Sequence, residues 1–115
     1  VSAAASWRAL AAAAVLTAAV PGAAAARAPS IQTVTIRQMQ FAPVPKLHVG
    51  DTVEWVNDDL FVHSATATDK SFDLELKPKA HVRMRVTKPG RFPFFCRYHP
   101  GMKGTLVVEG RRGGG

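Results

Sequence analysis

The chain has one cysteine, Cys96, one tyrosine and three methionines in 115 residues. A single cysteine excludes an internal disulfide. It leaves a free thiol, an intermolecular bridge or a metal ligand. Acidic side chains are also scarce, 8 against 15 basic, for a formal net charge of +7. Beyond residue 28 no segment keeps a 3.6-residue apolar period, which excludes a helical bundle. The one extended apolar run, Ala9 to Val20, is too short and too weakly hydrophobic for a comfortable membrane span. There is no internal repeat.

The alanine-rich start fits a secretory leader. Arg8 precedes the apolar run, Pro21-Gly22 follows it, and Ala24-Ala25-Ala26 and Ala26-Arg27-Ala28 both offer small-x-small cleavage sites. A retained anchor and an alanine helix packed on the domain are the competing readings. The leader reading divides the chain into a signal peptide over 1–28, a domain over 29–109 and a flexible Gly/Arg tail over 110–115. It places the protein outside the cytoplasm, periplasmic or otherwise extracytoplasmic in a bacterium. Without Arg8 and Arg27 the chain carries 13 basic against 8 acidic side chains, a net charge of +5. The basic residues are scattered along predicted strands, so nucleic acid is not an expected partner. They read first as solvated strand faces, and more sharply as steering toward an acidic protein or an anionic surface.

What is present is alternation. Apolar residues recur at period two in 31–37, 46–49, 52–56, 61–67, 71–76, 81–86, 91–96 and 104–109. Turn signals separate the runs, including Gly50-Asp51 and Lys88-Pro89-Gly90. Two prolines break 41–45. The pattern predicts an all-β fold, a Greek-key β-sandwich of about seven or eight strands. Its core candidates are Val34, Ile36, Val53, Trp55, Leu74, Val82, Met84, Val86, Phe92, Phe94, Leu106 and Val108. Trp55 reads as core rather than as an electron relay, and Met39 and Met84 as filler.

The segment Cys96-Arg97-Tyr98-His99-Pro100-Gly101-Met102 lies between two of these strands. Pro100-Gly101 fits the centre of a type II turn, which would bring His99 and Met102 together. Thiolate, imidazole and thioether form a soft donor set suited to copper rather than to magnesium or calcium. His63 is the best candidate for a second imidazole. His48 and His81 read as solvated. Methionine argues against a structural zinc site. A Cys–His enzyme is disfavoured because both groups share one short loop and no substrate pocket is evident, so no catalytic residue is expected.

The stretch Asn57-Asp58-Asp59 through His63-Ser64-Ala65, together with Cys96 to Met102, resembles the cupredoxins, the small blue copper proteins. The contracted spacing is most similar to the amicyanin branch. The resemblance implies one copper ion on His63, Cys96, His99 and Met102. It also implies one-electron transfer between redox protein partners. An acidic partner is the sharper reading of the basic balance, and the chain is expected to be a monomer that does not associate with the membrane once the leader is cleaved. His99 would serve as the portal, in an apolar patch to which Tyr98, Pro100 and residues 41–45 contribute. A copper chaperone or storage protein would use the same residues. Ser64 departs from the asparagine many relatives carry after the first histidine. A serine hydroxyl can donate one bond toward the sulfur but has less reach.

Overall fold

The computed structural model describes residues 4, 11–15 and 28–111. The leader expected over 1–28 and the tail over 110–115 lie in large part outside the described residues. Among the described residues there is no helix. The elements are β1 (Ile31–Arg37), β2 (Gln40–Phe41), β3 (Leu47–His48), β4 (Thr52–Asn57), β5 (His63–Ala67), β6 (Asp73–Leu76), β7 (His81–Arg85), β8 (Gly90–Phe95) and β9 (Lys103–Glu109).

They form two sheets, ordered β2-β1-β4-β7 and β3-β9-β8-β5-β6. β1 runs parallel to β4 and β3 parallel to β9, and the remaining pairs are antiparallel. The strands therefore number nine rather than seven or eight. The addition is β2. It forms because Gln38 and Met39 both adopt positive φ, 51° and 60°, and close a two-residue hairpin between Arg37 and Gln40. Positive φ at both central residues is the type I′ requirement, normally met by Asn-Gly. Here no glycine advertises it.

Alternation places Val34 and Ile36 of β1 and Val53 and Trp55 of β4 fully inside. Val86, Phe94, Leu106 and Val108 join them, as do Leu47, Ala65, Leu76, Cys96 and Met102. Leu74, Val82, Met84 and Phe92 are only partly buried. Leu74, Val82 and Met84 sit on β6 and β7, the outermost strands of their sheets. Phe94 is the hub of an aromatic cluster, edge-on to Trp55 at 5.1 Å and to Phe41 at 4.8 Å between centroids. Phe41 thus packs into the interior, not into the surface patch expected of residues 41–45. The strand predicted from residue 61 begins only at His63, leaving Leu60 and Phe61 exposed in the preceding loop.

The turns at the pole away from Cys96 follow the expected chemistry. Gly50 and Gly90 take φ of 99° and 141°, where a side chain would be strained. Buried Asp51 accepts the amides of Ser30 and His48. His48 is half-buried, within 3.5 Å of Glu109, so it is less solvated than its alternation suggests. His81 is exposed beside Glu54.

Candidate metal centre

β8 ends one residue before Cys96, and β9 starts one residue after Met102. The seven-residue connection is wound tightly. Met102 N donates to His99 O at 2.8 Å, His99 N to Cys96 O at 3.3 Å, and Cys96 N to Met102 O at 3.1 Å. The predicted turn over His99–Met102 is therefore present, closed by its own hydrogen bond. It is not type II, because Gly101 is absent from the residues with positive φ. Proline at the second position of a turn is equally compatible with type I.

β5 lies between β8 and β6, and its first residue, His63, faces the loop. Cys96 Sγ lies 3.8 Å from His63 Nδ1 and 3.8 Å from His99 Nδ1. The three donor atoms all fall within 4.8 Å of one another. The two imidazoles meet edge to face, with centroids 5.1 Å apart. His63 and Cys96 are fully buried, His99 is half-buried, and Met102 is buried. The structure thus brings together the His63, Cys96 and His99 side chains read from the sequence. Met102 stands on the same loop, tied to both Cys96 and His99 through its backbone. His48 and His81 are not part of the cluster.

The surroundings orient the His63 ring. Its Nε2 lies 2.8 Å from Asp59 Oδ2. An ionised carboxylate can only accept, so Nε2 carries a proton toward Asp59, and Nδ1 is the ring nitrogen that faces the cluster. Burial pushes the Asp59 carboxyl up, but the amides of Met39 and Gln38 and the His63 ring outweigh it and hold the carboxyl below its ordinary range. Asp59 therefore ties the left-handed β1–β2 turn to a buried imidazole. Buried Asn57 holds the same loop. Its Nδ2 faces the carbonyls of Phe61, Leu76 and Lys77, and its Oδ1 accepts the Asp59 amide.

In the sequence, Asn57-Asp58-Asp59 stands as a polar stretch within the segment that carries the family resemblance. The roles of Asn57 and Asp59 had no local signal beyond that polarity. Asp59→Ala removes the acceptor of three N–H groups and is expected to cost about 2–4 kcal/mol. Urea denaturation checks this, and a loss below about 0.5 kcal/mol would show that water replaces the carboxylate freely.

Ser64 behaves differently from expectation. Its backbone amide, not its hydroxyl, approaches the sulfur, at 3.4 Å from Cys96 Sγ. The hydroxyl instead accepts the Arg97 amide at 2.8 Å. An oxygen already receiving that amide and lying against Thr66 has no reason to turn toward the thiol. At the rim, Tyr98 Oη donates to Glu75 Oε1 at 2.6 Å, and that bond holds the phenol above its usual pKa.

One thiol and two imidazoles, closely grouped and largely shielded from water, match the donor chemistry of copper better than that of hard cations. Two packed sheets with this group at one pole define a cupredoxin, and the chain belongs to that family. It matches the family described as "Cupredoxin-like domain" over residues 8–108. Among curated proteins it is similar to amicyanin of Paracoccus denitrificans, 33% identical over 97 residues covering 77% of this chain and 73% of that protein. It is also similar to amicyanin-alpha of Methylorubrum extorquens, 32% identical over 83 residues, 66% of this chain and 70% of that one. Among solved structures, a methionine-to-alanine variant of amicyanin in its Cu(I) form aligns with a TM-score of 0.56 and 29% identity, over 67% of this chain and 80% of that one. A copper-containing nitrite reductase from Thermus scotoductus SA-01 aligns with a TM-score of 0.58 and 33% identity, over 70% of this chain but 22% of the enzyme. A cupredoxin with this His–Cys–His group takes a single copper ion as its cofactor.

Proposed function

We propose that this protein is a one-electron carrier working outside the cytoplasm, with copper held by His63, Cys96, His99 and Met102. The carrying observation is the grouping of His63, Cys96 and His99 donors within 4.8 Å of one another. Bound copper supplies a couple that gains and loses a single electron. The protein's contribution is rigidity. Cys96 is fixed by the end of β8, Met102 by the start of β9, and His63 by β5 and Asp59. Donors held this firmly have little room to rearrange when the charge changes. The amicyanin relatives support a carrier over an enzyme, and the leader read from residues 1–28 supports an extracytoplasmic site.

His99 serves as the portal. It is the one half-buried side chain among the three clustered donors, and exposed Tyr98 and Pro100 flank it in sequence. Leu60 and Phe61 add exposed apolar surface from the loop leading to His63. A redox protein is the fitting partner, and acidic groups on it would complement the basic surface.

The oxidised, copper-loaded protein is expected to show an intense visible thiolate-to-metal band that bleaches reversibly on reduction. A colourless protein that binds only copper(I) would point to a chaperone or storage role instead. His99→Ala is expected to slow electron exchange by about tenfold or more, about 1.4 kcal/mol of barrier. Stability should stay within about 1 kcal/mol of wild type. Exchange rates equal to wild type would remove His99 from the electron path.

A further inference from the structure

β5 is the strand of this fold that buries both faces. His63 and Ala65 face inward, so Ser64 and Thr66 belong to the outer face, yet both hydroxyl residues are buried there. Their hydrogen bonds explain why. Arg97 N donates to Ser64 Oγ at 2.8 Å, and Ser64 Oγ lies 2.9 Å from Thr66 Oγ1. Thr66 Oγ1 donates to Asp73 Oδ1 at 2.7 Å. Asp73 Oδ1 also faces Arg97 Nε at 3.1 Å. A hydroxyl has one proton. Thr66 spends its proton on Asp73, so the proton between the two hydroxyls belongs to Ser64. The chain of donors then runs one way, from the Arg97 amide through Ser64 and Thr66 to the Asp73 carboxylate. The Arg97 guanidinium closes it.

We infer that this closed ring, Arg97–Ser64–Thr66–Asp73, positions the metal-binding cysteine, and that Ser64, Thr66, Asp73 and Arg97 are positioning residues for the site. The inference rests on the copper reading above but concerns residues outside the proposed donor set. The ring begins and ends on Arg97, the residue bonded to Cys96, and grips it by backbone and side chain together. Ser64 also places its own amide 3.4 Å from the sulfur. One residue thus couples the sulfur's amide contact to the outer ring.

The Arg97–Asp73 ion pair is about half exposed and would contribute little alone. As the terminus of a buried hydroxyl chain it fixes the direction of every bond in it, and such chains are worth more than their separate links. The register makes this possible, since Thr66 and Asp73 are directly opposed on β5 and β6.

Thr66→Val removes the middle hydroxyl at nearly constant volume, and Thr66→Ser keeps it. Asp73→Ala cuts the ring at a half-exposed position. Two readouts are needed on the full chain. In the metal-free protein, hydrogen exchange at the Arg97 amide is expected to quicken about tenfold or more in Thr66→Val and Asp73→Ala. In the copper-loaded protein, copper loss to a chelator is expected to quicken about tenfold in both, with a shift in the midpoint potential, while Thr66→Ser stays within about twofold of wild type. Wild-type Arg97 exchange and wild-type copper retention in Asp73→Ala would overturn the ring. The exchange measurement needs no metal, so it judges the ring even if the protein proves not to be an electron carrier.

Discussion

Replacing Cys96 by serine is expected to abolish the intense visible absorption of the copper protein and its reversible one-electron chemistry. Cys96 is the only cysteine in the chain, so no other thiolate can supply the charge-transfer band. Its Sγ sits 3.8 Å from both imidazoles, at the centre of the donor group. A serine oxygen is harder and far less acidic, and it suits copper(I) poorly. The two histidines remain, so weakened copper(II) binding with pale colour is the expected residue of function. The side chain is also fully buried in the core cluster. A hydroxyl there without a good partner is expected to cost about 1–3 kcal/mol. Visible absorption, a redox titration and urea denaturation read the three effects. A variant that kept its strong colour would place the copper elsewhere.

Gly104→Ala is expected to be the most destabilising single-methyl addition among the described glycines. Gly104 on β9 directly opposes Phe94 on β8. A Cβ at Gly104 would lie within 3 Å of three ring atoms, the nearest at 2.3 Å. The ring cannot step aside, because Trp55 and Phe41 meet it edge-on. Such overpacking costs about 3 kcal/mol or more where nothing can yield. Urea denaturation measures the loss. The double variant Gly104→Ala/Phe94→Leu supplies the control, since a smaller partner relieves the clash and the two effects should fall well short of additive. Additive losses would mean that the ring is not the obstacle. Met102 lies two residues before Gly104, so a shifted β9 also disturbs the donor loop.

Much of this was readable from alternation. Val34, Ile36, Val53 and Trp55 stand where a period of two puts them, since a pleated strand offers no other arrangement. Cys96, His99 and Met102 were legible as a group because a short loop between two strands leaves them nowhere to separate. What escaped depends on register and backbone sign. The hairpin at Gln38-Met39 carries no turn residue that announces positive φ. Its stabilisation comes from Asp59, twenty and twenty-one residues away. Sequence alone gives Ser64 a proton to offer the sulfur, but the pairing of Thr66 with Asp73 directs that proton to Thr66. Phe41 lay among prolines that suggested surface, yet the left-handed hairpin turns it onto Phe94.

The distribution of the donor set has a consequence for the chain as a polymer. Three of the four proposed ligands fall on one hairpin connection, while the fourth arrives on a strand 33 residues earlier. Bringing those ends together in an unordered chain costs about 3 kcal/mol of configurational freedom by loop-closure scaling, before any contact is made. The native sheets have already met that requirement. An ion engaging both halves therefore favours the folded ensemble over the expanded one and cross-links the middle of the chain to its end.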